Sequence, residues 1–232
     1  ASAAFATGMG AISSTILSLL KQGDHIVSSA YLFGNTNSFF GTIQNLGIEV
    51  SFVDATDVEN VAAAIKDNTR LVFVETIANP VTQIADLLPI GQLCREKGVI
   101  YCVDNTMTSP HLFTPKSVGA SLVVNSLTKY IGGHGNALGG AITDTGLFDW
   151  EQFPNISDSY KGQDPSLWGI TQIKKKGLRD MGASLGPEAA HHLAVGSETL
   201  SLRMEKACRN AKAITEFCDK HSKVKNVYYP GL

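Results

Sequence analysis

A mainly parallel, doubly wound α/β sheet is the fold that this 232-residue sequence predicts, on three observations. Short β-branched runs alternate with helical patterns through the first half of the chain. Helical stretches carry start and stop signals, such as Asp57 before one and Gly98 after another. Acidic or hydroxyl residues follow apolar runs at Glu75, Asp104 and Ser126. Ligands in open α/β sheets bind beyond the carboxyl ends of the strands, so these three residues are expected on one edge.

The elements follow in chain order. Thr7 caps a predicted helix whose apolar positions Ile12, Ile16 and Leu19 share one face, with Gly23 just beyond its end. His25 to Ser28 reads as a strand, Thr36 to Leu46 as a helix stopped by Gly47, and Ile48 to Val53 as the next strand. Val58 to Lys66 is helical behind Asp57, and Arg70 to Glu75 is an apolar strand ending in an acid. Leu87 to Lys97 is helical, with Pro89 tolerated in the first turn. Val99 to Val103 is a buried strand that delivers Asp104, and Ser121 to Val124 and Leu138 to Thr143 are the last strand candidates. From Trp150 to Gln163 the chain is aromatic and polar without period, which predicts a surface loop. Leu167 to Arg203 reads as mostly helical, and Glu205 to Asp219 as a further helix.

Composition narrows the function classes. Hydrophobic residues are 44% and charged residues 17% of the chain, and the net charge of −2 gives no reason to expect nucleic acid or an anionic membrane surface. No apolar run approaches the ~18–20 residues that cross a bilayer. The six histidines are scattered without metal-ligand spacing, so no metal is expected. Cys94, Cys102, Cys208 and Cys218 form no CxxC pair; Cys94 and Cys102 lie in apolar surroundings and read as buried thiols, in keeping with a cytoplasmic protein. The opening Ala1-Ser2-Ala3-Ala4-Phe5 has no charged n-region, and Tyr229-Pro230-Gly231-Leu232 reads as a turn. Of two readings, a complete processed protein and a piece of a longer one, the second is expected.

The chemistry converges on Lys129, in Ser126-Leu127-Thr128-Lys129-Tyr130, downstream of Val103-Asp104-Asn105-Thr106. A lysine that forms an imine with pyridoxal 5′-phosphate needs hydroxyls for the phosphate and a carboxylate for the ring nitrogen. Alone, Lys129 reads as a surface lysine and Asp104 equally as a structural acid or a cation partner; together, with Ser126 and Thr128, they point to a vitamin B6 enzyme. A carboxylate about 4 Å from a pyridinium, at an effective dielectric near 20, contributes roughly 4 kcal/mol. Because ~1.4 kcal/mol moves a pKa by one unit, that keeps the ring nitrogen protonated at neutral pH. Thr7-Gly8-Met9-Gly10 offers helix-start amides to an anion, with Gly8 permitting close approach. Phe33 is either a cover for a planar ligand or core, and Asn79 either a donor to a ring oxygen or a turn former before Pro80.

With these residues assembled, the chain resembles the Cys/Met-metabolism group of pyridoxal-phosphate enzymes, which includes cystathionine γ-synthase, cystathionine lyases, methionine γ-lyase and the homoserine-ester sulfhydrylases. The resemblance rests on Thr7-Gly8-Met9, Phe33-Gly34-Asn35-Thr36, Glu75-Thr76-Ile77-Ala78-Asn79-Pro80, Val103-Asp104-Asn105-Thr106, Ser126-Leu127-Thr128-Lys129-Tyr130 and Glu198-Thr199-Leu200-Ser201-Leu202-Arg203-Met204. It implies the fold-type I large domain, a mostly parallel seven-stranded sheet sandwiched by helices, over residues 1–200, with 201–232 a linking helix and the start of a truncated further domain. It implies that Lys129 attaches the cofactor and Asp104 pairs with its ring nitrogen. By the same resemblance Gly8, Met9, Ser126 and Thr128 hold the phosphate, Asn79 contacts the ring's phenolic oxygen, and Thr106 orients the Asp104 region. Phe33 stands where the family usually has tyrosine. It can stack on the ring but brings no hydroxyl to a departing γ-substituent.

That departure directs the expectation toward γ-replacement on an O-acyl-L-homoserine by sulfide or a thiol. A γ- or β-lyase, and a catalytically silent fragment that supports oligomer contacts, stand as alternatives. The partners implied are a small amino-acid substrate and further copies of the chain, as homodimers or homotetramers.

Overall fold

The computed structural model describes residues 1–231. Leu232, the last residue of the segment read as the start of a further domain, lies outside the described residues. In chain order the elements are β1 (Ser2–Phe5), α1 (Gly8–Leu19), β2 (His25–Ser29), α2 (Gly34–Gln44), β3 (Glu49–Val53), α3 (Val58–Ala64) and β4 (Thr69–Glu75). They continue with α4 (Leu87–Lys97), β5 (Ile100–Asp104), α5 (Ser109–Leu112), β6 (Leu122–Ser126) and β7 (Gly140–Asp144). The last part is helical: α6 (Trp168–Gln172), a π-helical stretch from Ile173–Arg179, α7 (Pro187–Ser197) and α8 (Leu200–Asp219).

The strands form one seven-stranded sheet in the order β1-β7-β6-β5-β4-β2-β3. Pairings from β3 through β6 are parallel, and β7 runs antiparallel to both β6 and β1. This is the mostly parallel α/β sheet the sequence predicts. Register brings the site together: Glu75 at the end of β4 pairs with Asp104 at the end of β5, and Asp104 pairs with Val124 of β6, two residues before Ser126.

Period-2 alternation divides the core between the two faces of the sheet. Leu71, Phe73, Ile100, Cys102, Leu122 and Val124 face α1, where they meet Ile12, Ile16 and Leu19. Val72, Val74, Tyr101, Val103 and Val123 face the opposite way, against Ile90 and Cys94 of α4 and Val61 of α3. Each fully buried side chain of this size contributes about 1.5–3 kcal/mol, so the sheet is held from both sides.

Helix termini follow their sequence signals. Thr7 Oγ1 accepts from the Gly10 N–H at 2.8 Å, and Asp57 Oδ1 accepts from the Glu59 N–H at 2.9 Å. Gly98 closes α4 in the left-handed region at φ 65°.

The structure corrects several expectations. β1 was not legible as a strand, because an alanine-rich edge strand lacks the β-branched signature; its pairing with β7 buries Ala3 and Phe5. α2 begins at Gly34 rather than Thr36, because the Glu75 carboxylate holds the Phe33 N–H and the Thr36 and Asn37 N–H groups bond back to the Phe33 carbonyl. The expected loop at 150–163 contributes to the core instead. Trp150 is 1% exposed, meets Phe148 and Phe153 edge to face, and donates its indole N–H to Asp144 Oδ2 at 2.9 Å. The helical region from Leu167 breaks after Met181, and α8 begins at Leu200, ahead of the expected Glu205.

Candidate cofactor site

Beyond the carboxyl ends of β4, β5 and β6 lies a cleft of about 770 Å³, within the range of small-molecule pockets. Lys129, Asp104 and Phe33 line it together, as do Gly8, Met9, Asn79, Thr106, Ser126 and Thr128. The nine residues given a site role by the sequence therefore line one cavity.

The floor is built around Asp104. Its Oδ1 accepts from the Thr106 N–H at 2.9 Å and from the Thr106 hydroxyl at 2.5 Å. The same hydroxyl accepts from the Ser126 N–H at 2.8 Å, so Thr106 ties the ends of β5 and β6 together. Asn105, fully buried, anchors the turn behind: its amide donates to the Phe113 carbonyl at 2.9 Å, and its own carbonyl accepts from Asn125 at 3.1 Å. Burial pushes the Asp104 carboxyl above its usual range, and the two Thr106 bonds oppose this. Asp104 forms no salt bridge with any cation among the described residues. A recessed carboxylate without a counter-charge, facing a cleft, suits a cationic ligand group.

One wall is the start of α1. The Gly10 N–H is capped by Thr7, and the Ala11 N–H bonds to the Thr7 carbonyl, whereas the Gly8 and Met9 amides have no acceptor among the described residues. These orphan donors at the positive end of a twelve-residue helix form an anion cradle. Gly8 is required there: a Cβ on it would lie 2.9 Å from the Ser126 Cβ. The Thr128 hydroxyl already bonds the Gly139 backbone, donating to its carbonyl at 3.2 Å and accepting from its N–H at 3.0 Å. Donation from Thr128 to a phosphate therefore requires an exchange of the first of these bonds.

Phe33, 41% exposed at the N-terminal boundary of α2, also lines the cleft. Its N–H donates to Glu75 Oε1 at 2.6 Å. Glu75 is 7% exposed; burial first and the neighbouring Asp104 second push its carboxyl up to about 7, against the Phe33 and Asn79 backbone amides that face it. Lys129 is exposed at the cleft wall, with no carboxylate within salt-bridge distance among the described residues.

A recessed unpaired carboxylate, an unfilled amide cradle and an exposed primary amine thus share one cleft. That donor set fits pyridoxal 5′-phosphate at its ring nitrogen, phosphate and aldehyde in turn. The model of the Cys/Met metabolism PLP-dependent enzyme family matches residues 1–232. The chain belongs to that family. That family is described as PLP-dependent enzymes of cysteine and methionine metabolism.

Among relatives, it is 41% identical to an L-methionine gamma-lyase of Fusobacterium nucleatum subsp. polymorphum, over all of this chain and 54% of the relative. Among solved structures, an O-acetylhomoserine sulfhydrylase of Wolinella succinogenes superposes with a TM-score of 0.92 at 37% identity, covering 100% of this chain and 67% of that one. A Campylobacter jejuni structure with a TM-score of 0.90 and 33% identity, covering 100% and 60%, carries a pyridoxyl-lysine monophosphate. The chain spans about half the length of the curated relatives it matches. Among the described residues no helix is long and apolar enough to cross a membrane, and no cluster of metal-ligating side chains is present.

Sequence reasoning gave no site role to several residues that also line the cleft, among them Glu75, Thr36, Met107, Tyr130 and Arg203. Glu75 carried a signal, since it was expected on the same edge as Asp104. Arg203 lay in a motif that supported the resemblance, but its distance along the chain from Lys129 hid its contact with the lysine loop.

Proposed function

We propose that this chain carries the cofactor-binding part of an enzyme performing γ-replacement on an O-acyl-L-homoserine, with sulfide or a thiol as acceptor. The observation that carries the reading is Phe33, an aromatic side chain without a hydroxyl on the cleft wall facing Lys129 and Asp104. A substrate processed there without a phenol from this position must bring a group that departs unaided, as an ester does.

Pyridoxal 5′-phosphate, when bound, supplies an electron-accepting ring conjugated to the substrate nitrogen. In this reading Lys129 would attach the cofactor and, once free, would be the general base for the α-proton and the carrier of protons in the steps that follow. Asp104 would hold the ring nitrogen and keep it protonated. Thr106 fixes the Asp104 carboxylate through its two bonds. Gly8 and Met9 amides, with the Ser126 and Thr128 hydroxyls, would hold the phosphate; Asn79 would hold the ring oxygen, and Phe33 would pack against the ring. Cytoplasmic location and assembly as homodimers or homotetramers belong to the same proposal, the first supported by the buried free thiols of Cys94 and Cys102.

A second reading, a γ-lyase with water as the final acceptor, is favoured by the likeness to an L-methionine gamma-lyase. Product analysis separates the two. With O-acetyl-L-homoserine and PLP, γ-replacement yields homocysteine when sulfide is added and little 2-oxobutyrate. Release of 2-oxobutyrate from L-methionine, unaffected by sulfide, would support the lyase, and no product from either substrate would mark the chain as catalytically silent by itself.

A further inference from the structure

We infer that Arg203 is a positioning residue for Lys129, holding the backbone that follows the lysine in the form that presents its amine to the cleft. The inference deepens the proposed function and rests on Lys129 being the attachment residue. Arg203 lies on the first turns of α8, far along the chain from Lys129, and lines the same cleft. Its guanidinium is spent almost wholly on backbone carbonyls. Nη1 donates to the Tyr130 carbonyl at 2.6 Å and Nη2 to the Ile131 carbonyl at 3.2 Å, the two residues directly after Lys129. Nη2 also donates to the Gly196 carbonyl near the end of α7 at 2.8 Å, and Nε donates to Thr199 Oγ1 at 3.0 Å. One planar fork therefore ties the lysine loop to the α7–α8 junction.

The loop is shaped to receive this fork. Gly133 has φ 73°, and a Cβ on it would lie 2.1 Å from Arg203 Nη1, so a side chain there would displace the guanidinium. The Gly133 N–H in turn donates to the Lys129 carbonyl at 2.7 Å. Three consecutive carbonyls, from Lys129 to Ile131, are thus fixed, one from within the loop and two from α8. Arg203 forms no salt bridge with a carboxylate among the described residues, so its hydrogen-bonding capacity is not divided. Lysine at this position would keep the charge but not the planar fork that reaches several carbonyls at once.

The test compares the full chain with its Arg203→Met and Arg203→Lys variants. Cofactor-free protein is incubated with pyridoxal 5′-phosphate and then treated with sodium borohydride. The lysine amine condenses with the aldehyde with loss of water, and hydride from borohydride reduces the C=N bond to a stable secondary amine. Peptide mass spectrometry, at a temperature well below the melting point of each variant, then gives the ratio of labelling at Lys129 to labelling at Lys174 and Lys175, exposed lysines outside the cleft. Hydrogen exchange of the 129–135 segment is read in parallel. Arg203→Met is expected to lower the ratio at least tenfold and to speed exchange in that segment, with Arg203→Lys intermediate in both. A ratio unchanged in Arg203→Met, even with a lower melting temperature, would make Arg203 a structural joint only and overturn the inference. If Arg203→Met fails to fold, an unchanged ratio in Arg203→Lys overturns it equally. Failure of the unaltered chain to label Lys129 above Lys174 and Lys175 would instead sink the proposal that Lys129 is the attachment residue.

Discussion

Glu75 and Asp104 stand side by side in register at the carboxyl ends of β4 and β5, two acids at one end of a parallel pair. Each is held by backbone amides, Glu75 by Phe33 and Asp104 by Thr106. Burial raises both carboxyls, and Glu75 is further raised by the charge of Asp104. Like charges this close disfavour simultaneous ionisation, so one proton on the pair is the lower-energy state at moderate pH.

The pair makes the stability of the cofactor-free chain depend on pH. The folded Glu75 holds its proton up to about 7, against an ordinary value of 4.5. Its contribution is therefore fully present below about 4.5 and is lost as pH rises through about 7. Glu75→Gln removes the ionisation and keeps an acceptor for the Phe33 N–H. The variant is expected to gain about 1–3 kcal/mol relative to the unaltered chain at pH 8 and much less at pH 5. Urea unfolding at the two pH values checks this; an equal effect at both would contradict the shift.

Thr106 bridges Asp104 and Ser126 through one hydroxyl, donating to the first and accepting from the second. Thr106→Val preserves shape but strands the Ser126 N–H and removes one of the two hydrogen bonds to Asp104 Oδ1. A cost of about 1–3 kcal/mol is expected in thermal unfolding, together with weaker binding of pyridoxal 5′-phosphate in equilibrium dialysis. Thr106→Ser should restore most of both. Serine and valine behaving alike would mean that the hydroxyl does not couple the strands.

Phe33→Tyr adds a phenol to the cleft wall without altering the Glu75 bond, which is made by the backbone. Under the γ-replacement reading, this variant processes substrates with poorer leaving groups better than the unaltered chain. The expected readout is an increased rate of 2-oxobutyrate release from L-methionine relative to O-acetyl-L-homoserine. An unchanged ratio would remove the argument drawn from Phe33.

Much of this site is legible in the sequence because its parts are local. The Thr7 cap, the glycine that lets α1 approach β6, and Asp104 at the end of an apolar run each announce themselves within a few residues. The parallel core strands are equally plain, since burial on both faces leaves continuous runs such as Leu71-Val72-Phe73-Val74. What escapes is set by distant partners. β1 is a strand only because β7 lies beside it, and Trp150 is core only because Asp144 satisfies its indole N–H. Arg203 joins the lysine loop through carbonyls, which no side-chain pattern records. The start of α2 moved by two residues because Glu75, distant in sequence, holds the Phe33 amide.

The central claim is that Lys129 attaches pyridoxal 5′-phosphate within the cleft that Asp104 floors. Its most direct measurement is a titration of the purified chain with the cofactor, followed by visible absorbance, beside Lys129→Ala and Asp104→Ala. Lys129 is exposed, so its replacement should change stability by no more than about 0.5 kcal/mol. A saturable visible band is predicted for the unaltered chain, absent in Lys129→Ala and requiring at least tenfold more cofactor in Asp104→Ala. An identical band in Lys129→Ala would contradict the account.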